Sequence, residues 1–177
     1  MIILEKFTSK DYDQLINWIH NEELLINWAG SLFNFPLTHQ SLDWYIKETN
    51  DLHTSDAFVY KAVDAETSQV VGHISLGSIS RKNRSGRISR VYIDEQLRGK
   101  GYCKQMTTAI LRFGFNELQL HRISLGVYDF NTSAIKCYKA AGFVVEGVTR
   151  DVLWMNETYW SLVEMSMLED EWRAMNA

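Results

Sequence analysis

The sequence predicts an α+β domain around one mixed, mostly antiparallel sheet. Three observations carry that reading. Segments of period two and segments with apolar residues at helical spacing are interleaved unevenly, in the order β-α-α-β-β-β-α-β-α-β-β. Several strand-like segments succeed one another through short polar turns, the usual link between antiparallel neighbours. One β-α-β passage, residues 86–129, breaks that run and requires a right-handed parallel crossover. The chain of 177 residues is read as a single domain spanning 1–177, since domains run to ~100–200 residues.

Residues 2–7 form the first strand. Thr8 and Asp11 resemble a capping pair at a helix start, and Leu15, Ile16, Trp18 and Ile19 then share a helical face. Residues 28–36 read as an aromatic loop holding Trp28, Phe33 and Phe35. Thr38 opens a second helix with Leu42, Tyr45 and Ile46 on one side. Residues 57–64 and 69–78 are two strands around a polar turn, and 86–94 is a third. Met106, Ala109, Ile110 and Phe113 recur at helical spacing through Leu118. Ile123, Leu125 and Val127 alternate with small or polar neighbours, as in a strand. Residues 131–141 form a short helix with Gly142 just past its end. The last strands are 143–147 and 159–168, with a turn at Met155-Asn156-Glu157.

Composition narrows the function. No apolar run reaches the ~18 residues of a membrane span. Met1-Ile2-Ile3-Leu4-Glu5-Lys6 meets charge too early for a signal peptide, so a reducing cytoplasm is the expected compartment. With only two Cys, neither a disulfide framework nor a structural metal site is expected. The net charge of -4 argues against nucleic acid. Yet between Arg81 and Lys104 stand eight bases and only two acids, net +6, which leaves -10 on the rest of the chain. A basic segment in an acidic protein suggests a local anionic ligand, the alternative being a solvated loop.

The stretch Val91-Tyr92-Ile93-Asp94-Glu95-Gln96-Leu97-Arg98-Gly99-Lys100-Gly101-Tyr102-Cys103-Lys104 gives that ligand a place. A strand runs into a Gly-rich turn that opens directly into an amphipathic helix. Glycine permits positive φ and close approach of backbone to a ligand. The first N–H groups of a helix have no internal partner, and with the helix dipole they form an anion site. Arg98, Lys100 and Lys104 add positive charge, and a pyrophosphate fits. The turn is neither a Walker A loop nor a dinucleotide fingerprint, because the spacing and the third Gly are wrong.

Arg98-x-x-Gly101-x-Cys103 resembles the Arg/Gln-x-x-Gly-x-Gly/Ala motif of the GNAT superfamily of acyl-CoA-dependent N-acyltransferases. Asn131-x-x-Ala134-x-x-x-Tyr138-x-x-x-Gly142-Phe143 is similar to the second signature of that family. The segments Gly142-Phe143-x-x-Glu146-Gly147, Arg150-Asp151 and Tyr159-Trp160 look like the branch of ribosomal-protein N-terminal (RimJ/RimL-like) acetyltransferases. The resemblance covers about the whole chain. It departs at Cys103, where the family has Gly or Ala; a helix-packing residue and a reactive thiol are the two readings of that side chain.

The resemblance implies a GNAT-like fold with helices on both faces of the sheet and acetyl-CoA as co-substrate. Val91, Tyr92 and Ile93 should offer backbone hydrogen bonds to the pantetheine arm, along a strand that splays from its parallel neighbour. Uneven alternation around Ser89 and Arg90 is compatible with a bulge there. The turn of Arg98, Gly99, Lys100, Gly101, Tyr102, Cys103 and Lys104 should hold the pyrophosphate through backbone N–H groups, and Asn131 should touch the cofactor arm. Tyr138 matches the general acid that protonates the departing thiolate, its bland alternative being a core aromatic. Cys137 is read as plain core.

A primary amine near pKa ~10.4 is almost wholly protonated at neutral pH, so a base or a water chain must take its proton. Many relatives have a Glu on the strand before the turn. This chain has Arg87-Ile88-Ser89-Arg90-Val91-Tyr92-Ile93 there, without a carboxylate. His73 is the candidate base, against the reading of a structural histidine. The acceptor is an amine: a protein N-terminus, a polyamine, an amino acid or an amine antibiotic. Residues 1–60 carry nine acids against three lysines, a balance of -6 that favours a cationic acceptor unless the acids are a solvated surface. Transfer of a longer acyl group and a catalytically weak CoA-binding module are the rival readings. A homodimer is compatible with either.

Overall fold

The first turn of helix forms where Thr8 and Asp11 place it. The Thr8 N–H and hydroxyl both donate to Asp11 Oδ2, at 2.8 and 3.0 Å. The other Asp11 oxygen accepts from Lys61 Nζ at 2.9 Å, so this nearly buried carboxylate has a counter-charge. The computed structural model describes residues 1–177. Strand β1 (Ile2–Lys6) is followed by helices α1 (Tyr12–Trp18), α2 (Glu22–Ala29) and α3 (His39–Ile46). Three strands come next: β2 (Phe58–Asp64), β3 (Val70–Ser80) and β4 (Ser85–Ile93). The chain then runs through α4 (Tyr102–Arg112), β5 (Arg122–Tyr128), α5 (Thr132–Ala140), β6 (Val144–Met155), β7 (Thr158–Leu168) and α6 (Glu169–Met175).

Seven strands form one sheet in the order β1-β2-β3-β4-β5-β7-β6, and only β4 and β5 run parallel. This is the mixed, mostly antiparallel sheet that the sequence predicts. Two helices go beyond the sequence expectation. The first, α2, starts at Asn21, whose side chain accepts from Leu24 N at 2.8 Å, so Trp28 sits on a helix rather than in a loop. The other, α6, is a short terminal helix whose Trp172 reaches the core. Strand β6 also runs on to Met155, well past residue 147.

Helices cover both faces. Met106 and Ile110 of α4, Tyr138 of α5 and Trp172 of α6 pack on Leu76, Ile123 and Met165 of the sheet. On the opposite face, Tyr12, Leu15, Leu25, Leu42 and Tyr45 pack on Val59 and Tyr92. Each fully buried leucine or isoleucine of these layers contributes about 1.5–3 kcal/mol. No helix is long and apolar enough to cross a membrane.

Two irregularities in β4 open the sheet at its centre. Opposite β3, His73 faces Tyr92 and Ser75 faces Ser89, so β4 carries one residue too many between them. Arg90 takes φ +52° in this bulge, a conformation costly for a residue with a Cβ. Opposite β5, pairing covers only Ser85 to Ile88 against Arg122 to Leu125. Beyond Ile88 and Leu125 the two strands part.

Candidate active site

The turn before α4 is held by its own side chains. Asp94 accepts from Gln96 N at 3.0 Å, and Tyr102 Oη donates to Asp64 Oδ2 at 2.7 Å, tying the first turn of α4 to the end of β2. Gly99 and Gly101 have φ of +80° and +78°, and a Cβ built on either meets nothing within 4 Å. They are glycine because the turn needs the left-handed region, and their exposed faces leave room for a ligand. None of the N–H groups of residues 99–104 donates to a backbone acceptor. Six donors and a helix dipole therefore converge on open space, the arrangement that binds phosphate. The side chains of Lys100 and Lys104 stand in solvent. Arg98 lies 3.4 Å from Glu95 and stacks over the Tyr92 ring at 5.7 Å.

A cavity of about 620 Å³ leads from this turn into the gap between β4 and β5. Val91, Tyr92 and Ile93 line one side, and Leu125 to Tyr128 the other. Strand edges that have parted leave backbone N–H and C=O groups without a ladder partner, which suits an extended, amide-bearing arm. The Tyr92 side chain itself turns away into the second core, stacks on Trp18, and donates to Trp18 O at 3.3 Å. Asn131 lines the cavity and caps α5, its Oδ1 accepting from Ala134 N at 3.2 Å and from Ser133 Oγ at 3.1 Å. Tyr138 lines the cavity from α5. It is 6% exposed, and burial alone raises its phenol, so the proton stays on oxygen across the physiological range.

The two cysteines correct the sequence expectation. Cys103 and Cys137 form a disulfide that joins the first turn of α4 to α5, one residue before Tyr138. Neither is a free thiol, and Cys137 is not plain core. A pair 34 residues apart gives no local signal; it is made by the packing of α4 on α5.

The candidate base is corrected as well. His73 is 1% exposed, lies outside the cavity wall, and sits among the rings of Phe7, Trp28 and Tyr45. Its Nε2 is 3.1 Å from Tyr45 Oη, and its Nδ1 has no partner. Burial first, and the positive charge of Arg90 second, hold its pKa down to about 3. A neutral, sealed imidazole is a core residue. Apart from the buried Asp11, the acids of residues 1–60 are a surface feature too: Asp13 pairs with His39, Asp43 accepts from Tyr12, and no carboxylate lines the cavity. Of the aromatic residues expected on the acceptor side, Trp28 lines the cavity, Phe33 stacks behind it, and Phe35 is exposed. Leu24 and Asn27 join Trp28 from α2, and Tyr128 and Phe130 stack at the far rim, none of them singled out by a motif.

A parted strand pair continuous with a helix start of free N–H groups is the arrangement that the resemblance implies for a transferase using an acyl-CoA donor. The model of the acetyltransferase (GNAT) domain family matches residues 1–144, and the chain belongs to that family. It is an acetyl-CoA-dependent N-acetyltransferase acting on an amine. The prophage-derived N-acetyltransferase YokL of Bacillus subtilis is 29% identical over 152 residues, 85% of this chain and 81% of its own. The N-acetyltransferase p20 of Bacillus licheniformis is 31% identical over 152 residues, 85% of this chain and 83% of its own. Among solved structures, the spermidine N-acetyltransferase of Vibrio cholerae in complex with CoA and spermine superposes with a TM-score of 0.83. It covers 97% of this chain and 98% of its own at 22% identity, a likeness of fold. The open glycine faces and free N–H groups of residues 99–104, continuous with the slot, fit acetyl-CoA as co-substrate.

Proposed function

We propose that the protein transfers the acetyl group to a primary amine by direct attack in a ternary complex, with Tyr138 donating the proton that the departing CoA thiolate takes up. The observation that carries this reading is the buried Tyr138 phenol lining the same cavity as the freed edge of β4. Val91, Tyr92 and Ile93 hold the pantetheine arm through the backbone; the N–H groups of residues 99–104 hold the pyrophosphate, that of Arg98 being given to Glu95 O, and Asn131 touches the arm. The C–N bond forms as the amine attacks the thioester carbon. The C–S bond then breaks, and the thiolate takes the phenol proton. The amine proton leaves through water, since the cavity wall holds neither carboxylate nor histidine.

The acceptor is a protein N-terminal amine or a small amine. The segments Gly142-Phe143-x-x-Glu146-Gly147, Arg150-Asp151 and Tyr159-Trp160, which resemble the ribosomal-protein N-terminal (RimJ/RimL-like) branch, support the first, and the modest cavity the second. Exposed Val144, Val148, Val152 and Trp154 along β6 support a homodimer. The test is a broad amine screen with acetyl-CoA, read by thiol release. Acetylated product with at least one primary amine is expected, and thiol release that is independent of every amine overturns the reading.

A further inference from the structure

Three arginines are half-buried: Arg87, Arg90 and Arg122. Arg87 forks onto both oxygens of Glu164, at 2.9 and 3.2 Å, and Arg122 forks onto both oxygens of Glu146. Arg90 alone has no carboxylate. Its Nε donates to two neutral hydroxyls, Tyr45 Oη at 3.1 Å and Ser75 Oγ at 3.2 Å, and its guanidinium lies over the Tyr45 ring at 5.2 Å. The two terminal nitrogens have no protein acceptor and are not sealed from solvent. A guanidinium drawn this far out of water without a counter-charge is costly. The bulge adds to that cost, because it sets Arg90 at φ +52°.

The arrangement is a rigid fork with its stem anchored and its prongs free. Arg90 lines the cavity, whose only other guanidinium, Arg98, already faces Glu95. Trp28, which shares the Tyr45 ring as a neighbour, also lines the cavity, but its indole N–H is sealed from it. The lining therefore offers the Arg90 guanidinium a ligand-facing position and no carboxylate to match its charge. A polyamine would find no carboxylate on it. A planar oxyanion would complete it, because two parallel guanidinium N–H bonds match a carboxylate.

We infer that the acceptor is a small primary amine carrying a carboxylate, the amino-acid class, and that Arg90 is the residue that selects it by binding that carboxylate. The inference rests on the transfer reading above and narrows its acceptor. The cost of Arg90 in backbone strain and in burial of charge is then offset in the ternary complex, where the ion pair forms beside the thioester.

The test compares acceptors that differ by one group. Wild-type enzyme and acetyl-CoA are assayed with a panel of L-amino acids, the matching amino-acid amides, and spermidine, by thiol release at one pH. The amine of an amide is the less basic, so more of it is neutral, and chemistry alone favours the amide. Charged hydrogen bonds of this kind correspond to roughly tenfold or more in binding. The expected result is kcat/KM for amino acids at least about tenfold above their amides, carried by KM. Arg90→Gln should bring that ratio to within about threefold by raising KM for the acid, with KM for acetyl-CoA unchanged; Arg90→Lys should retain part of the preference. Equal or faster transfer to amides or to spermidine overturns the inference and leaves the transferase reading standing. An Arg90→Gln effect on acetyl-CoA alone also overturns it, since Arg90 then serves the donor. No transfer to any amine overturns both. If Arg90→Gln does not fold, the wild-type ratio of acid to amide still decides.

Discussion

The two ends of the cleft are made of different material. At the α4 end the groups we propose for the donor are backbone, six N–H donors and two glycines with positive φ, while the lysines stay in solvent. At the α2–α3 end the group we propose for the acceptor is a side chain, Arg90, held by Tyr45 and Ser75 from elements far apart in the chain. A backbone site suits the donor, whose phosphates are the same in every turnover. A side-chain site suits the acceptor, where one substitution changes what is selected. Even the positive φ values divide this way. Gly99 and Gly101 adopt them at little cost, whereas Arg90 adopts one only because the bulge imposes it.

Tyr138 stands between the two ends, and the comparison breaks most visibly there. Tyr138→Phe is expected to lower kcat by ~10²–10⁴-fold, the usual cost of losing a general acid, with KM for acetyl-CoA nearly unchanged. The ring remains, so packing on Phe143 is retained. An unaltered kcat with chemistry shown to be rate-limiting assigns Tyr138 to the core alone.

Gly101→Val attacks the backbone end. At a hundredfold excess over Kd, acetyl-CoA should stabilise the wild-type by ~2.7 kcal/mol, seen as a raised Tm. The variant should lose that shift, because its Cβ enters the open space before α4 and φ +78° strains any branched residue. A full shift in a folded Gly101→Val protein removes the turn from the donor site.

His73 tests the side-chain end through pH. Its folded pKa of about 3 lies below the ordinary histidine value of 6.5, so the unfolded chain binds the extra proton between these values. Stability contributed by neutral His73 is present above about 6.5 and is lost as pH falls toward 3. The slope for one proton is at most ~1.4 kcal/mol per pH unit. Denaturant unfolding of wild-type and His73→Gln between pH 4 and 7 should show the steeper slope in wild-type. The pH–rate profile should be the same in both, rising with amine deprotonation; a lost inflection in His73→Gln would restore the histidine as base.

The smallest effect is expected from the solvated lysines. Lys100→Ala and Lys104→Ala should each weaken acetyl-CoA binding by less than about threefold by isothermal titration, since exposed charge is screened at ordinary ionic strength. A loss of a hundredfold in either variant would show that the grip is ionic, and the contrast between the two ends would fall.

What the chain determined by itself is the part that depends on neighbours in sequence. The Thr8–Asp11 capping pair, the left-handed glycines before α4, the Asn131 cap of α5 and the alternation of β5 are local backbone preferences, legible because each is decided within a few residues. The α2 start at Asn21 was just as local and was hidden by the aromatic residues beyond it. The rest was decided by tertiary structure. The parting of β4 from β5, the Cys103–Cys137 bridge, the sealing of His73 and the missing counter-ion of Arg90 all depend on residues tens of positions apart. Burial and ion pairing are properties of such meetings, and a side chain acquires its charge state and its partner only when the sheet has assembled around it.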